Sequence, residues 1–263
     1  MAASTAAAAK KAIQVVLLDI EPFLLALAWD DLANYPYSLR ALPETLAAQW
    51  DSPAFAPYRA AFPAEHRASP AAVTAHVHDL VARDVKASYL KGLQGLLWAA
   101  GYRSGALTAP LYPDVLPALR AWHDDAGIAL MVYSSGSVAA QKLLFQHTST
   151  VEEEAATAAG DEKTTETKHL GEDVTPLFAD YFDTVNAGPK TAASSYAAIL
   201  AAHRDDYPDA GRWLFLSDNV LEVAAAKEAG LQSYVVQRPG NAPLAASVAE
   251  THRVVTTFEG LEL

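Results

Sequence analysis

Residues 13–21, IQVVLLDIE, join a short apolar run to two carboxylates, and the fold of the chain is predicted from this stretch outward. Apart from Gln14, residues 13–18 are apolar, and three of them are β-branched, which is typical of a buried strand. Asp19 follows directly, at the carboxyl end of the predicted strand. In parallel sheets this end of the strands forms the ligand crevice, so Asp19 is a candidate functional residue.

Similar apolar runs recur further along the chain and alternate with helical patterns. The runs predicted as strands are residues 13–18, 128–133, 213–216, 233–236 and 254–256. The second run is followed by Ser134 and Ser135, and the third by Ser217 and Asp218. This alternation predicts an α/β fold, a Rossmann-like parallel sheet with helices on both faces. The polar residues that follow the strands then share one edge of that sheet.

A helical segment separates the first strand from the others. Residues 22–110 are rich in alanine and carry prolines at positions 36, 43, 53, 57, 63 and 70, a pattern typical of several short helices. The longest predicted helix covers residues 79–98, where apolar side chains recur at helical spacing. We therefore expect a catalytic core of residues 11–21 and 111–263, with residues 22–110 as a helical cap inserted after the first strand.

Two segments show no pattern of a folded element. Residues 148–173 are polar and acidic and lack an apolar period, so they are expected to form a disordered loop within the core. The alanine-rich residues 1–10 are expected to be a disordered tail.

The composition excludes several classes of function. The 263 residues include 31 acidic and 19 basic side chains, a net charge of −12, and the basic ones form no cluster. DNA or an anionic membrane surface would be repelled at long range, so nucleic-acid and membrane partners are not expected. The absence of cysteine excludes disulfides, zinc–thiolate centres and thiol nucleophiles. These features predict a cytoplasmic protein, and the nucleus is expected as an additional compartment.

The polar residues at the predicted strand ends suit phosphoryl transfer. Asp19 and Asp218 offer the oxygen ligands that Mg²⁺ prefers, and Ser134 and Ser135 precede a predicted helix, where a phosphate commonly binds. Lys190 supplies a cation at a loop–helix junction. Each residue alone has an ordinary explanation as a turn residue, a helix N-cap or a surface charge. Their combination and order favour a phosphatase with an aspartate nucleophile.

These motifs resemble the haloacid dehalogenase superfamily and, within it, the acireductone synthase family, the enolase-phosphatases of methionine salvage. The resemblance rests on VVLLDIE (15–21), MVYSSGSVAAQKLLF (131–145), DYFDTVNAGPK (180–190), FLSDNVLEVAAAKEAG (215–230) and VVQRPGNAPL (235–244). Residues 86–98, KASYLKGLQGLLW, resemble the substrate-facing helix of the family's cap. Glu21 also fits this family, because the family has glutamate at this position, whereas most phosphatases of the superfamily have aspartate.

The resemblance implies a role for each candidate residue. The implied catalytic residues are Asp19 as nucleophile, Glu21 in proton transfer and Lys190; the implied phosphate-binding residues are Ser134, Ser135 and Lys190; the implied metal ligands are Asp19, Glu21 and Asp218. Glu222, one turn after Asp218, is a candidate supporting carboxylate. The implied cofactor is one Mg²⁺ per chain, and the implied substrate is a small phosphorylated diketo compound that is enolised and dephosphorylated. A monomer is expected.

One segment departs from the family pattern. After the Asp-x-Glu motif the family continues with Gly-Thr, whereas residues 22–35 of this chain are PFLLALAWDDLANY. Pro22 has no backbone N–H group, and Phe23 has no hydroxyl. Two alternatives therefore stay open. Beside the implied enolase-phosphatase function, the chain could be a phosphatase of another small phosphorylated metabolite, or a catalytically impaired family member that acts as a binding protein.

Overall fold

The computed structural model describes residues 12–20, 24, 34–83, 85, 87–150 and 171–263. Glu21 and most of the divergent segment 22–35 lie outside these residues. The chain forms two compact units, each described separately below. The first comprises Met1–Ala26, Pro110–Lys142 and Val174–Leu263, and the second comprises Leu27–Ala109 and Leu143–Asp173.

The first unit contains a six-stranded parallel sheet. Its strands are β1 (Val15–Leu18), β3 (Ala129–Tyr133), β5 (Phe178–Phe182), β6 (Trp213–Ser217), β7 (Gln232–Val236) and β8 (Val254–Val255). Their order across the sheet is β5-β3-β1-β6-β7-β8. The chain thus fills one half of the sheet outward from β1 and then returns to fill the other half. In such sheets the ligand crevice opens at this switch point, beside β1.

The helices follow the strands in alternation. In chain order they are α1 (Asn34–Gln49), α2 (Ala56–Ala61), α3 (Pro70–Ala82), α4 (Ser88–Arg103), α5 (Val115–Arg120), α6 (Val138–Phe145), α7 (Ala193–Ala202), α8 (Val220–Glu228) and α9 (Ala246–Thr251). Helix α5 continues into a π-helical turn at Ala121–Asp125. The predicted α/β fold with a parallel sheet is confirmed.

The sheet is buried because its strands are apolar on both faces. All four residues of β1 are fully buried, as expected for a central parallel strand. Every second residue of β1, β3 and β6 points into one core cluster, which helices α7 and α8 complete. The members of this cluster are Val15, Leu17, Met131, Tyr133, Phe182, Tyr196, Ile199, Trp213, Phe215, Ala225, Ala226 and Leu231.

The second unit has its own core, formed by helices α1 to α4. Val73, Val77 and Leu80 form the buried stripe of α3, and the i, i+4, i+7 spacing places them on one helix face. Leu90, Leu93 and Leu97 form the corresponding stripe of α4. They pack with Leu42, Leu46, Phe55 and Phe62. Strands β2 (Ala109–Leu111) and β4 (Thr148–Thr150) lie outside the six-stranded sheet.

The prediction of one helix over residues 79–98 is wrong, because α3 ends at Ala82 and α4 begins at Ser88. The N–H of Arg83 donates to Asp79 O, and the N–H of Val85 donates to Leu80 O, which closes the last turn of α3. Neither glycine nor proline marks this break, and the apolar spacing continues across it. The sequence pattern therefore carries no signal for the break.

The sequence analysis also missed three strands, β2, β4 and β5. Strand β5 contains Asp180, which interrupts its apolar pattern. Strand β4 falls at the start of the segment 148–173, which was expected to be a disordered loop. Thr148 pairs with Glu172 in an antiparallel bridge, and its hydroxyl donates to Glu172 O at 2.8 Å, so both ends of that segment are ordered. Residues 151–170 lie outside the described part of the chain.

Within the described ranges, no helix combines the length and the apolar character needed to cross a bilayer.

Candidate active site

The sheet places three of the predicted site segments side by side. Asp19, Ser134 and Asp218 follow β1, β3 and β6, the three adjacent central strands of the sheet. Leu18 pairs with Val132 on one side and with Leu216 on the other. The residues that follow these strands therefore meet at the carboxyl edge of the sheet, as the sequence predicts.

Lys190 is the cation at the centre of this edge. Its side chain is 8% exposed, and Nζ lies 2.6 Å from Asp19 Oδ1 and 2.7 Å from Glu222 Oε2. Burial alone would lower the pKa of Lys190, but the charges of Asp19 and Glu222 outweigh burial and raise that pKa above its usual value. The ammonium group therefore stays charged in the buried site.

The loop that carries Lys190 is fixed by hydroxyl groups of the core. Tyr133 Oη donates to Gly188 O at 2.7 Å, and Tyr196 Oη donates to Lys190 O at 2.8 Å. Gly188 has a φ of 106°, which favours glycine, and a Cβ atom there would lie 2.7 Å from Ser195 Oγ. The tight turn at Gly188 thus places Lys190 at the carboxyl edge of the sheet.

Ser217, the last residue of β6, links two of the carboxylates. Its Oγ lies 2.8 Å from Asp19 Oδ2 and 3.2 Å from Glu222 Oε2. A hydroxyl carries one proton, so it donates to one carboxylate at a time, and the shorter distance favours Asp19. The N–H of Ile20 donates to Asp19 Oδ1 at 2.8 Å. Both oxygens of Asp19 are therefore held in a fixed orientation.

The site contains more negative than positive charge. Burial and the charge of Asp19 raise the pKa of Asp218 to about 6. Burial and Asp19 also raise the pKa of Glu222 to about 7, and the attraction of Lys190 offsets this only in part. When all are ionised, three carboxylates face one ammonium group, which leaves two negative charges in excess.

A divalent cation fits this donor set. Asp19 and Asp218 supply hard oxygen ligands, and a charge of +2 would balance the excess negative charge at the sheet edge. Glu21, the third expected ligand, lies outside the described residues. Within the described residues, no group of three or more histidine, aspartate or glutamate side chains is placed to hold a metal ion.

The loop after β3 presents backbone N–H groups at the same edge. The N–H of Ser134 donates to Phe182 O, that of Gly136 to Ser134 Oγ and that of Val138 to Asp183 Oδ2. The intervening N–H groups of Ser135 and Ser137 have no acceptor among the described residues. Ser134 is buried, whereas Ser135 is exposed. Unengaged N–H groups before a helix are suited to bind an anion.

Two further residues contact this edge and were missed by the sequence analysis. Asn241 Nδ2 donates to Asp218 Oδ2 at 3.3 Å, and Asn241 Oδ1 accepts the N–H of Arg238. Asp183 Oδ2 accepts a hydrogen bond from the N–H of Val138 at 3.0 Å. The spacing of Asp183 and Asn186 is an Asx-turn signal that could have identified Asp183. Asn241 has no such signal, because its partner Asp218 is far away in the sequence and follows a different strand.

Comparison with known proteins assigns the chain to a family. No family model matches it. Enolase-phosphatase E1 of Podospora anserina is 55% identical over 245 residues, which cover 93% of this chain and 96% of that protein. The chain belongs to the enolase-phosphatase E1 family. It is therefore a phosphoric monoester hydrolase, and the family resemblance inferred from the motifs is confirmed.

Solved structures agree with the family assignment. The UTR4 protein of Saccharomyces cerevisiae has a TM-score of 0.74 and 34% identity, covering 95% of this chain and 100% of that chain. The haloacid dehalogenase-type hydrolase YfnB of Bacillus subtilis, solved with bound magnesium, has a TM-score of 0.50 and 14% identity over 95% of this chain and 97% of that chain. The YfnB likeness supports the fold alone. The chain thus has the haloacid dehalogenase-type fold that the motifs predict.

Proposed function

We propose that the chain catalyses the enolase-phosphatase reaction of methionine salvage. The substrate is 2,3-diketo-5-methylthiopentyl-1-phosphate, and the products are the acireductone 1,2-dihydroxy-3-keto-5-methylthiopentene and phosphate. The observation that carries the proposal is the buried contact of 2.6 Å between Asp19 and Lys190 at the switch point of the sheet. It joins a nucleophile to a cation where substrates of such folds bind.

Asp19 is the proposed nucleophile. Its carboxylate attacks the phosphorus atom, the bond between phosphorus and the substrate oxygen breaks, and an aspartyl-phosphate forms. Water then hydrolyses the aspartyl-phosphate and restores the carboxylate. The hydrogen bonds from Ile20 and Ser217 hold the carboxylate in place before the attack. Such preorganisation lowers the barrier because no reorientation is needed during the reaction.

Lys190 and the loop after β3 are the proposed phosphate-binding groups. The Lys190 ammonium group would balance the charge of the phosphoryl group and of Asp19. Ser134 and Ser135 would bind phosphate oxygens, with the unengaged N–H groups of Ser135 and Ser137 as further donors. Glu21 is proposed for proton transfer during enolisation, on the basis of the family resemblance alone.

One Mg²⁺ per chain is the proposed cofactor, held by Asp19, Glu21 and Asp218. When bound, Mg²⁺ would neutralise charge on the phosphoryl group. Burial and repulsion by Asp19 raise the pKa of Asp218 to about 6, and a bound Mg²⁺ would relieve that repulsion. The ion is therefore expected to bind more weakly below about pH 6, where Asp218 is protonated.

The test compares the Asp19→Asn variant with the wild type in the presence of the diketo phosphate and Mg²⁺. Asparagine keeps the shape of aspartate but removes the nucleophilic charge, so phosphate release should fall to background. Asp180→Asn is the matched control, because Asp180 lies on β5 and its carboxylate contacts His203 at 2.9 Å instead of the site. Undiminished phosphate release by Asp19→Asn, or by the wild type in excess EDTA, would falsify the assignment.

A further inference from the structure

Asp183 connects two loops of the proposed site. It follows β5, is 7% exposed, and its two carboxylate oxygens have separate tasks. Oδ1 accepts the N–H groups of Val185 and Asn186, at 2.8 Å and 3.0 Å, within the loop that leads to Lys190. Oδ2 accepts the N–H of Val138 at 3.0 Å, at the start of α6. One side chain thus joins the loop after β3 to the loop after β5.

Gln141 reinforces the same junction from inside α6. Its Nε2 donates to Gly136 O and to Phe182 O, both at 2.8 Å. The side chain is 1% exposed, so these bonds are shielded from water. Together with the bond from Ser134 N–H to Phe182 O at 3.1 Å, they tie the loop after β3 to the end of β5.

The charge of Asp183 needs an explanation, because burying a carboxylate is costly without compensation. Within the described residues no cationic side chain pairs with it, and its partners are three backbone N–H groups. Burial alone would raise the pKa of Asp183, but these three bonds outweigh burial and hold that pKa below its usual range. An uncharged asparagine has one acceptor oxygen and cannot serve both loops.

We propose that Asp183 is a positioning residue for phosphate binding, which holds the loop after β3 so that Ser135 and Ser137 keep their N–H groups available. The inference rests on the proposed function. It assigns to Asp183 no contact with the substrate. It explains why alternate N–H groups of this loop are engaged by Phe182, Ser134 and Asp183.

The test is the dissociation constant of inorganic phosphate for the full chain with saturating Mg²⁺. In Asp183→Asn the single oxygen can keep the local turn at Val185 and Asn186, while the amide group faces the Val138 N–H, donor against donor. We expect phosphate binding to weaken about tenfold or more, since a hydrogen bond to a charged group is lost. KM for the diketo phosphate should rise by a similar factor, kcat should change less, and the Mg²⁺ affinity should stay within about twofold.

Asp209→Asn is the matched control. Asp209 also accepts a backbone N–H, from Gly211 at 3.0 Å, but it precedes β6 and therefore lies at the opposite edge of the sheet. This variant should bind phosphate as the wild type does. Equal losses of phosphate affinity in both variants would show a general effect of weakened loops and would overturn the inference.

Val138→Pro removes the same hydrogen bond from its other end, and proline is well tolerated at the first position of a helix. The Val138→Pro variant therefore tests the role of Asp183 even if Asp183→Asn fails to fold. Both substitutions remove the same bond, between Val138 N–H and Asp183 Oδ2. The phosphate affinity of the double variant should therefore be within about twofold of that of either single variant. Multiplied losses in the double variant would contradict the proposal. So would wild-type affinity in Asp183→Asn or, should that variant not fold, in Val138→Pro.

The outcomes separate this inference from the proposed function. If the wild type releases phosphate from the diketo substrate and binds inorganic phosphate, but the variants bind it equally well, only the role of Asp183 fails. If the wild type binds no phosphate and releases none, the proposed function fails, and the inference fails with it.

Discussion

Lys190 is the residue on which the buried charges of the site depend. Removal of its ammonium group leaves the buried carboxylates of Asp19 and Glu222 without a cationic partner among the described residues. We expect Lys190→Ala to lower the free energy of unfolding by about 3 kcal/mol and to remove most of the turnover. Ser134→Ala removes the hydroxyl that accepts the N–H of Gly136, so it should lower the free energy of unfolding by only about 1 kcal/mol. Urea unfolding and steady-state kinetics of both variants show whether Lys190→Ala has the larger effect. Equal stability of Lys190→Ala and the wild type would place the side chain at the surface.

Asp218 should make the stability of the metal-free protein depend on pH. Its pKa is raised to about 6 in the folded state, so the folded protein keeps a proton that the unfolded chain releases at lower pH. Stability therefore falls as the pH rises from about 4 to about 6, and the full penalty is present above that range.

The Asp218→Asn variant lacks this penalty and isolates it from other titrating groups. In the presence of EDTA, its free energy of unfolding minus that of the wild type should grow between about pH 4 and pH 6 and then level off. Chemical denaturation at several pH values measures the difference. A difference that stays constant or shrinks across this range would contradict the raised pKa.

At the level of elements, helix α4 contains glycines with opposite expected effects. A Cβ atom at Gly101 would lie 2.7 Å from Leu107 Cδ1 and 2.8 Å from Tyr37 Cε1, closer than side-chain atoms pack. Gly101→Ala should therefore destabilise the protein by about 1–3 kcal/mol. Gly92 is on the same helix and has no atom within 4 Å of such a Cβ, so Gly92→Ala should stabilise by about 0.5–1 kcal/mol. Thermal unfolding of the two variants should show shifts of opposite sign. Two shifts of the same sign would refute the packing at Gly101.

The segment between β4 and Glu172 offers a second test at this scale. Residues 151–170 are polar and acidic, so replacing them by a short Gly/Ser bridge should leave the melting temperature nearly unchanged. Deletion of residues 148–173 should lower it, because β4 and the hydrogen bonds between Thr148 and Glu172 are lost. If the shorter deletion already costs many degrees, residues 151–170 contribute packing that their composition does not predict.

The same elements show how far the sequence alone leads. Apolar runs predicted β1, β3, β6 and β7 because continuous burial leaves a direct pattern in the chain. The break between α3 and α4 escaped prediction because a helical apolar period continues through it. Strand β5 escaped because Asp180 interrupts its apolar run, and its pairing with β3 comes from tertiary structure.

For the whole molecule, the topology explains why strand ends were informative and side-chain partners were not. A parallel sheet brings Asp19, Ser134 and Asp218 to one edge by rule, so their proximity was predictable. The roles of Ser217 and Asp183 depend on hydrogen bonds between segments far apart in sequence. The spacing of Asp183 and Asn186 is a local Asx-turn signal, but no local pattern encodes the bond of Asp183 to Val138 or that of Ser217 to Asp19, which follow from the folded geometry.

Single-turnover conversion of the diketo phosphate, with the enzyme in excess, tests the central claim most directly. With Mg²⁺, the wild type should form acireductone and inorganic phosphate in equal amounts, and Asp19→Asn or excess EDTA should prevent phosphate release. A rate far below that of a relative with Gly-Thr at positions 22 and 23 would support the impaired alternative. Turnover of p-nitrophenyl phosphate faster than that of the diketo phosphate would favour another substrate. Phosphate release by Asp19→Asn at the wild-type rate would contradict the account.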